Sequence, residues 1–412
     1  MTKDSLRGAF DAAVRAAYPA LCVAQALPRR PKGRVIVIGA GKAAAQMAAA
    51  VEAQWEGPIS GLVITRYGHA EGITLRNIEL VEAAHPVPDA AGLAATRKMM
   101  DLLQGLTPDD LVLSLISGGG SALLCQPLEG LSLEEKQGVT RALLDSGATI
   151  GEMNVIRQRL SQVKGGRLAA IAAPAKLVTL FISDVPGDAA ETVASGPTVE
   201  IPPHGESAEV ILKRYGITPC AEVAAALATS ASNLPKTGPL EARMIASPQI
   251  SLEAAARYLE GRGYHTMILS DRIEGEAREA GKVLAAIAMG AGGFAKRPLA
   301  LLSGGETSVT VRAKGRGGRN AEFALGAAIA LRGAKGISGL AADTDGVDGT
   351  EDNAGAYFDC GSFDAIQRAG IDPFAALNDN DAWGAFHAVD QLLVTGPTGT
   401  NVNDLRIFLI DA

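Results

Sequence analysis

The sequence predicts an α/β fold in two domains, each a sheet layered with helices. Three observations carry this. A chain of 412 residues, 47% hydrophobic and 20% charged, holds more core than one small domain needs. Short β-branched runs alternate with Ala-rich helical patterns. That alternation loosens near residue 235 and then restarts. Met1–Leu21 spaces Phe10, Val14, Tyr18 and Leu21 at helical intervals, with Asp4, Asp11 and Arg15 between them, so it reads as an amphipathic helix rather than a secretory core. Arg34–Ile38, Gly61–Thr65, Ile78–Val81, Leu111–Ile116 and Lys176–Ile182 read as buried strands, and Ala43–Gln54, Asp89–Leu103 and Leu133–Leu144 as helices between them. Buried parallel strands need helices on both faces. Residues 1–235 are therefore expected to form a Rossmann-like, mainly parallel sheet covered on both sides. Ser232–Pro239 reads as a linker, and residues 236–412 as a second, smaller α/β domain. Its expected strands are Met244–Ala246, Tyr264–Leu269, Leu299–Leu302, Ser308–Arg312, Gly336–Ala341, Leu392–Val394 and Arg406–Ile410.

Composition excludes several functions. A formal charge of -7 argues against a nucleic-acid surface, which needs clustered Lys and Arg to release counterions. Any anion bound here must meet local positive charge. Cys22, Cys125, Cys220 and Cys360 are far apart and form no Cys-x-x-Cys pair, which fits free thiols in a reducing cytoplasm. Val283–Ala295, the longest weakly polar stretch, is too short for the ~20 apolar residues that cross a bilayer, so no membrane span is expected.

In open α/β sheets ligands bind beyond the carboxyl ends of strands, and there this chain is rich in Gly and charge. Gly39-Ala40-Gly41-Lys42-Ala43-Ala44 fits the loose G-x-G-x-x-A dinucleotide pattern, but the second strand ends in Thr65-Arg66 where a nicotinamide site wants an acid. Lys42 suits a substrate carboxylate or a phosphoryl group instead. After the fourth strand, Ser117-Gly118-Gly119-Gly120-Ser121 can form a cradle of N–H donors for phosphate. The segment Met153–Ala170 reads as a helix with Arg157, Ser161 and Lys164 along one face. Asp184 and Asp188 flank a Pro-Gly turn after the fifth strand, where two carboxylates can hold Mg²⁺ or accept a proton from a hydroxyl. In the second half Ser303-Gly304-Gly305-Glu306-Thr307 repeats the strand-then-glycine arrangement with a carboxylate at its tip. Arg316 and Arg319 sit in a glycine loop opening onto a helix, an anion site by aligned N–H groups and guanidinium together. The acidic run Asp343–Asn353 fails the EF-hand spacing and reads as a hydrogen-bonding or Mg²⁺-adjacent loop, or as a surface turn. Thr398, Thr400, Asn401 and Asn403 suit neutral polar contacts. The five histidines, His69, His85, His204, His265 and His387, show no metal spacing and read as structural.

Taken together, VIGAGKA, HPVPD, SGGGSALL, NVIRQRLSQVKGGRLA, SDVPGD with SGPT, LSGGET, GRGGRNAEFAL, DTDGVDG and TGPTGTNVND resemble the class II glycerate kinases, whose C-terminal part is the MOFRL domain. The resemblance covers nearly the whole chain and places the MOFRL-type region at about 298–405. It implies two α/β domains with a cleft between them, and ATP- and Mg²⁺-dependent phosphorylation of D-glycerate to 2-phosphoglycerate. It implies that Lys42 and Arg319 contact glycerate and the transferring phosphoryl group, and that Ser117 to Ser121 bind nucleotide phosphates, with Ser117 also near the substrate. By analogy of arrangement Gly304, Gly305 and Glu306 are candidates for the nucleotide, and Asp184 and Asp188 for the metal or the attacking hydroxyl. D-glycerate is the expected small-molecule partner, with no nucleic acid and no membrane; a homodimer is compatible with the sequence. Members are also labelled hydroxypyruvate reductases, so an NADP-linked reductase and a non-catalytic sugar-acid or nucleotide sensor stand as alternatives. Two glycine cradles, two cations and paired carboxylates fit phosphoryl transfer better than hydride transfer.

Overall fold

The computed structural model describes residues 2–185, 187, 189–202, 206–229, 237–293 and 295–411. They form two units, one of residues 19–245 and one of residues 1–18 with 246–412.

In the first unit the strands are β1 (Val35–Ala40), β2 (Ser60–Arg66), β3 (Ile78–Ala83), β4 (Leu111–Ser117), β5 (Lys176–Ile182) and β6 (Leu240–Ala246). Their order is β3-β2-β1-β4-β5-β6, and β1 to β5 run parallel. The central strands β1 and β4 are buried at every residue, which is why they read as unbroken apolar runs. The chain steps outward from β1 to β2 and β3, then returns to the other side of β1 with β4. That reversal is the topological switch point, where neighbouring loops leave in opposite directions and open a crevice at the carboxyl edge. Lys42 and the Ser117–Ser121 loop lie there. Helix Ala90–Leu102 covers one flank, begun by Asp89, whose carboxylate accepts the Gly92 amide at 2.9 Å.

The second unit carries β7 (His265–Ser270), β8 (Gly275–Glu276), β9 (Leu299–Ser303), β10 (Thr307–Ser308), β11 (Ile337–Asp343), β12 (Gly355–Asp359), β13 (Leu392–Leu393) and β14 (Asp404–Ile410). Its main sheet has the order β13-β12-β11-β14-β9-β7, antiparallel except for β7 beside β9. Helix Arg319–Ala330 packs into one face, with Phe323 against Phe408 and Phe358 beyond. On the opposite face helices Thr2–Ala16 and Pro248–Glu260 bury Leu6, Phe10, Leu252 and Leu259. Each such apolar side chain contributes about 1.5–3 kcal/mol.

Three expectations are corrected, and one strand was not expected. The second unit does not begin at 236: after residues 230–236, which include the expected boundary at 235 and lie outside the described residues, the chain returns to the first sheet. There the Leu177 amide donates to the Pro239 carbonyl at 2.9 Å and β6 takes the edge. The N-terminal helix belongs with the C-terminal unit, because its Leu6–Phe10–Ala13 stripe needs an apolar partner and finds it on Pro248–Glu260. Ser308–Arg312 is no strand beyond Thr307–Ser308, and Val311 is 75% exposed. Gly355–Asp359, a five-residue antiparallel strand next to the acidic loop, gave no apolar run long enough to stand out.

Candidate functional site

The loop after β1 has the form of a dinucleotide turn but not its free donors. The Gly41 amide donates to the Ile64 carbonyl at 3.1 Å, Lys42 to Gly118 at 2.8 Å, Ala43 to Ser117 Oγ at 3.0 Å and Ala44 to Gly41 at 3.1 Å. Gly41, at φ +142°, permits this contact, since a Cβ there would strike Ser117. Pyrophosphate recognition needs amides aimed at the ligand, and these are consumed. β2 ends in Arg66, with no acid for a ribose. Ser117, expected near substrate, is 1% exposed and braces this turn through its Oγ.

The loop after β4 is the reverse case. Among the described residues the amides of Gly119, Gly120 and Ser121 have no hydrogen-bond acceptor. Gly119 is left-handed at φ +78°, and a Cβ on it would sit 3.3 Å from His85 Nε2 and 3.4 Å from Lys42 Cγ. A Cβ on Gly118 would overlap the Asp184 carboxylate, and one on Gly120 would lie 2.8 Å from the Ala40 carbonyl. Three open amides, Lys42, His85 and Asp184 thus border one glycine loop. Asp188, expected to share a metal with Asp184, lies outside the described residues, as does His204.

Charge around the loop is one-sided. Burial pushes the His85 imidazole down to about 4, and Lys42, Arg66, Arg157 and His69 reinforce the shift. Among the described residues no hydrogen bond or ion pair satisfies the side chains of Lys42, Arg66 or Arg157. The sequence marks His85 as structural and Arg66 only as standing where a nicotinamide site wants an acid; their positions at strand ends are the signal that points to both. Because the native state resists protonating His85, stability is fullest above the ordinary value of 6.5 and falls as pH drops towards 4. His85→Gln is expected to retain about 2 kcal/mol more stability than the parent on going from pH 7 to pH 4.5, measured by urea unfolding at both pH values.

The loop is held from beneath by the segment read as a basic helical face. That helix ends at Arg159, so Ser161 and Lys164 leave its surface. Lys164 is buried, and its Nζ donates to the carbonyls of Ser121 at 2.6 Å and Leu124 at 2.7 Å. Burial drives its pKa well down. Ser121 Oγ lies 2.8 Å from Ser195 Oγ, which donates to Asn154 Oδ1 at 2.7 Å. Ser195, at φ +64°, also receives Gln158 Nε2 and the Gly165 amide on its carbonyl. Ser195 opens the SGPT motif and Asn154 the NVIRQRLSQ motif quoted for the resemblance, but the sequence assigns neither a role.

In the other unit the expected anion site holds anions of the chain itself. The Asn320 and Ala321 amides at the start of helix Arg319–Ala330 donate to the two Asp348 carboxylate oxygens at 2.9 and 2.8 Å. Burial raises Asp348 to about 6 despite these bonds. Arg319 donates Nε to Asp404 at 2.9 Å, Nη2 to Asp343 at 2.7 Å and Nη1 to Glu306 at 2.8 Å. Its pKa stays above the ordinary arginine value because these carboxylates outweigh burial. Arg316 pairs with Glu351 and stacks 3.6 Å from the Trp383 ring. In the 303–307 turn the Gly304 amide donates to the Ser270 carbonyl at 2.8 Å, while among the described residues the amides of Gly305 and Glu306 have no hydrogen-bond acceptor. The acidic run is therefore a hydrogen-bonding element: Asp343 and Asp348 organise Arg319 and its helix, while the Thr344 hydroxyl donates to the Asn403 carbonyl at 2.7 Å. Thr400 donates to the Ala17 carbonyl, and Asn403 holds φ +63°. Among the described residues no helix is long and apolar enough to cross a membrane.

Comparison with known proteins agrees with this architecture. Residues 5–228 match the family described as a domain of unknown function (DUF4147), and residues 299–404 match the MOFRL family. A protein of Agrobacterium vitis named putative hydroxypyruvate reductase is 52% identical over 99% of this chain and 94% of its own. The D-glycerate 2-kinase of Thermotoga maritima is 43% identical over 96% of this chain and 95% of its own. A crystal structure of glycerate kinase from Thermotoga maritima superposes with a TM-score of 0.92 at 41% identity, covering 99% of each chain. The chain belongs to this DUF4147–MOFRL family, the class II glycerate kinases.

Proposed function

We propose that the protein is a glycerate kinase that transfers the γ-phosphoryl group of ATP to the 2-hydroxyl of D-glycerate. The observation that carries this reading is the Gly119–Ser121 loop at the switch point, whose amides and neighbouring Lys42 side chain have no partner among the described residues. Phosphoryl transfer asks a protein chiefly to position two substrates and neutralise spreading negative charge. The amides and Lys42 are suited to the phosphate oxygens. Asp184, against Gly118, is suited to hold Mg²⁺ or to take the hydroxyl proton while the new O–P bond forms and the bond to ADP breaks. Mg²⁺, when bound, supplies further neutralisation of the phosphates. Arg319 can meet a substrate anion by exchanging Glu306, whose side chain is 53% exposed and costs little to release. Gly304 and Gly305 then serve as the turn that presents Glu306. Four free cysteines, two of them buried, support a reducing, cytoplasmic setting.

The reductase reading, which the Agrobacterium vitis relative's name raises, meets consumed amides after β1 and Arg66 at the end of β2. The purified protein is expected to consume ATP with D-glycerate in a coupled assay and to leave NADPH absorbance unchanged with hydroxypyruvate. Oxidation of NADPH without ATP turnover would reverse the assignment.

A further inference from the structure

Four adjacent parallel strands deliver their carboxyl ends to one edge, and three of them bring a nitrogen base or cation. β3 is followed by His85, β2 ends in Arg66 and β1 is followed by Lys42, while β4 opens the glycine loop. In register Arg66 lies opposite Ala83, two residues before His85. Gly119 lies between His85 and Lys42. Arg157 approaches from helix Ile150–Arg159. It sits one turn after Asn154, the residue that receives Ser195 Oγ and so ties this helix to Ser121 of the loop.

Carboxylates that could neutralise this row are committed elsewhere. Glu82 Oε1 accepts the Gly68 amide at 2.7 Å. Asp89 takes the Tyr67 hydroxyl at 2.8 Å and caps its own helix. Asp184 stands on the other side, against Gly118. Arg157 is half-buried, and burial alone lowers its pKa. A desolvated guanidinium with no anion among the described residues is costly unless a ligand supplies one.

A glycerate kinase must seat two anionic groups, the nucleotide phosphates and the carboxylate of the acceptor. The amides and the point charge of Lys42 match phosphate, whereas a planar guanidinium fork matches a planar carboxylate through two parallel hydrogen bonds. We infer that Arg157, assisted by Arg66 and a hydrogen bond from His85, binds the carboxylate of the three-carbon acid. This subsite, which rests on the kinase reading, selects a 2-hydroxy acid over an uncharged polyol or amide of the same shape.

The test uses the full-length enzyme. Arg157→Met is expected to raise the KM for D-glycerate about 10- to 100-fold while the KM for ATP stays within twofold, and Arg157→Lys to recover part of the loss. Arg66→Met is expected to act in the same direction with a smaller effect, because Arg66 is exposed. The preference of the parent for D-glycerate over glyceramide is expected to shrink in Arg157→Met. A rise in the KM for ATP instead, or a D-glycerate KM within twofold of the parent, overturns the assignment. Calorimetric titration with D-glycerate alone separates this inference from the kinase reading. Binding by the parent and not by Arg157→Met supports the subsite even without turnover, and equal binding by both refutes it.

Discussion

Lys42→Met is expected to lower turnover with ATP and D-glycerate by about 10²–10³-fold while leaving stability unchanged or slightly raised. The two halves of that expectation come from one geometry. The Lys42 side chain has no partner to lose among the described residues, and its backbone amide still donates to Gly118 after substitution. It shares its surroundings with Arg66, Arg157, His69 and His85, whose imidazole it helps to keep unprotonated. Removing a cation from such a crowd relieves repulsion, so the native state loses nothing and the site loses a charge aimed at developing phosphate charge. Steady-state kinetics and urea unfolding measured on the same preparation check both. A variant that is markedly destabilised, or one that retains full turnover, would place Lys42 in a structural role.

Much of the first sheet was legible because parallel strands buried on both faces leave apolar runs with glycine at their ends, and Val35–Ala40 and Leu111–Ser117 show that pattern undiluted. The carboxyl ends of those strands followed from it, and with them Lys42 and the Ser117–Ser121 loop; the strand order that makes this edge a switch point did not. Less legible was anything decided by pairing at a distance. β6 returns to the first sheet by hydrogen bonds to β5, and helix Thr2–Ala16 buries its stripe against a helix some two hundred and thirty residues later. An amphipathic pattern states that a face is covered, not by what. The same limit separates Lys42 from Arg319. Both were seen as cations beside glycine turns, but counterions come from remote strands: none reaches Lys42 among the described residues, while Asp343, Asp404 and Glu306 all reach Arg319. Lys164 is the third case, a lysine placed on a basic helical face by periodicity and turned inward because the helix stops at Arg159.

Arg319→Met therefore carries a stability expectation opposite to that for Lys42→Met: a loss of about 3–5 kcal/mol, with turnover falling as well. Asp404 has a fully buried side chain, with Arg406 as its other cationic partner, and Asp343 is 6% exposed at the side chain. Withdrawing Arg319 leaves buried Asp343 without an ion-pair partner among the described residues, and burial with Asp404 and Asp345 nearby already holds its carboxyl well above the ordinary range. The deficit is a charge imbalance, so it can be reversed by removing a charge. Arg319→Met with Asp343→Asn is expected to regain about 1–2 kcal/mol over Arg319→Met alone, read by urea unfolding above pH 7. The coupling separates the two roles open to Arg319. If its contact with Glu306 is the one that yields to a substrate, kcat per folded molecule in the double variant stays depressed although stability returns. If kcat per folded molecule recovers with stability, Arg319 acts only by organising Asp343, Asp404 and the helix it begins.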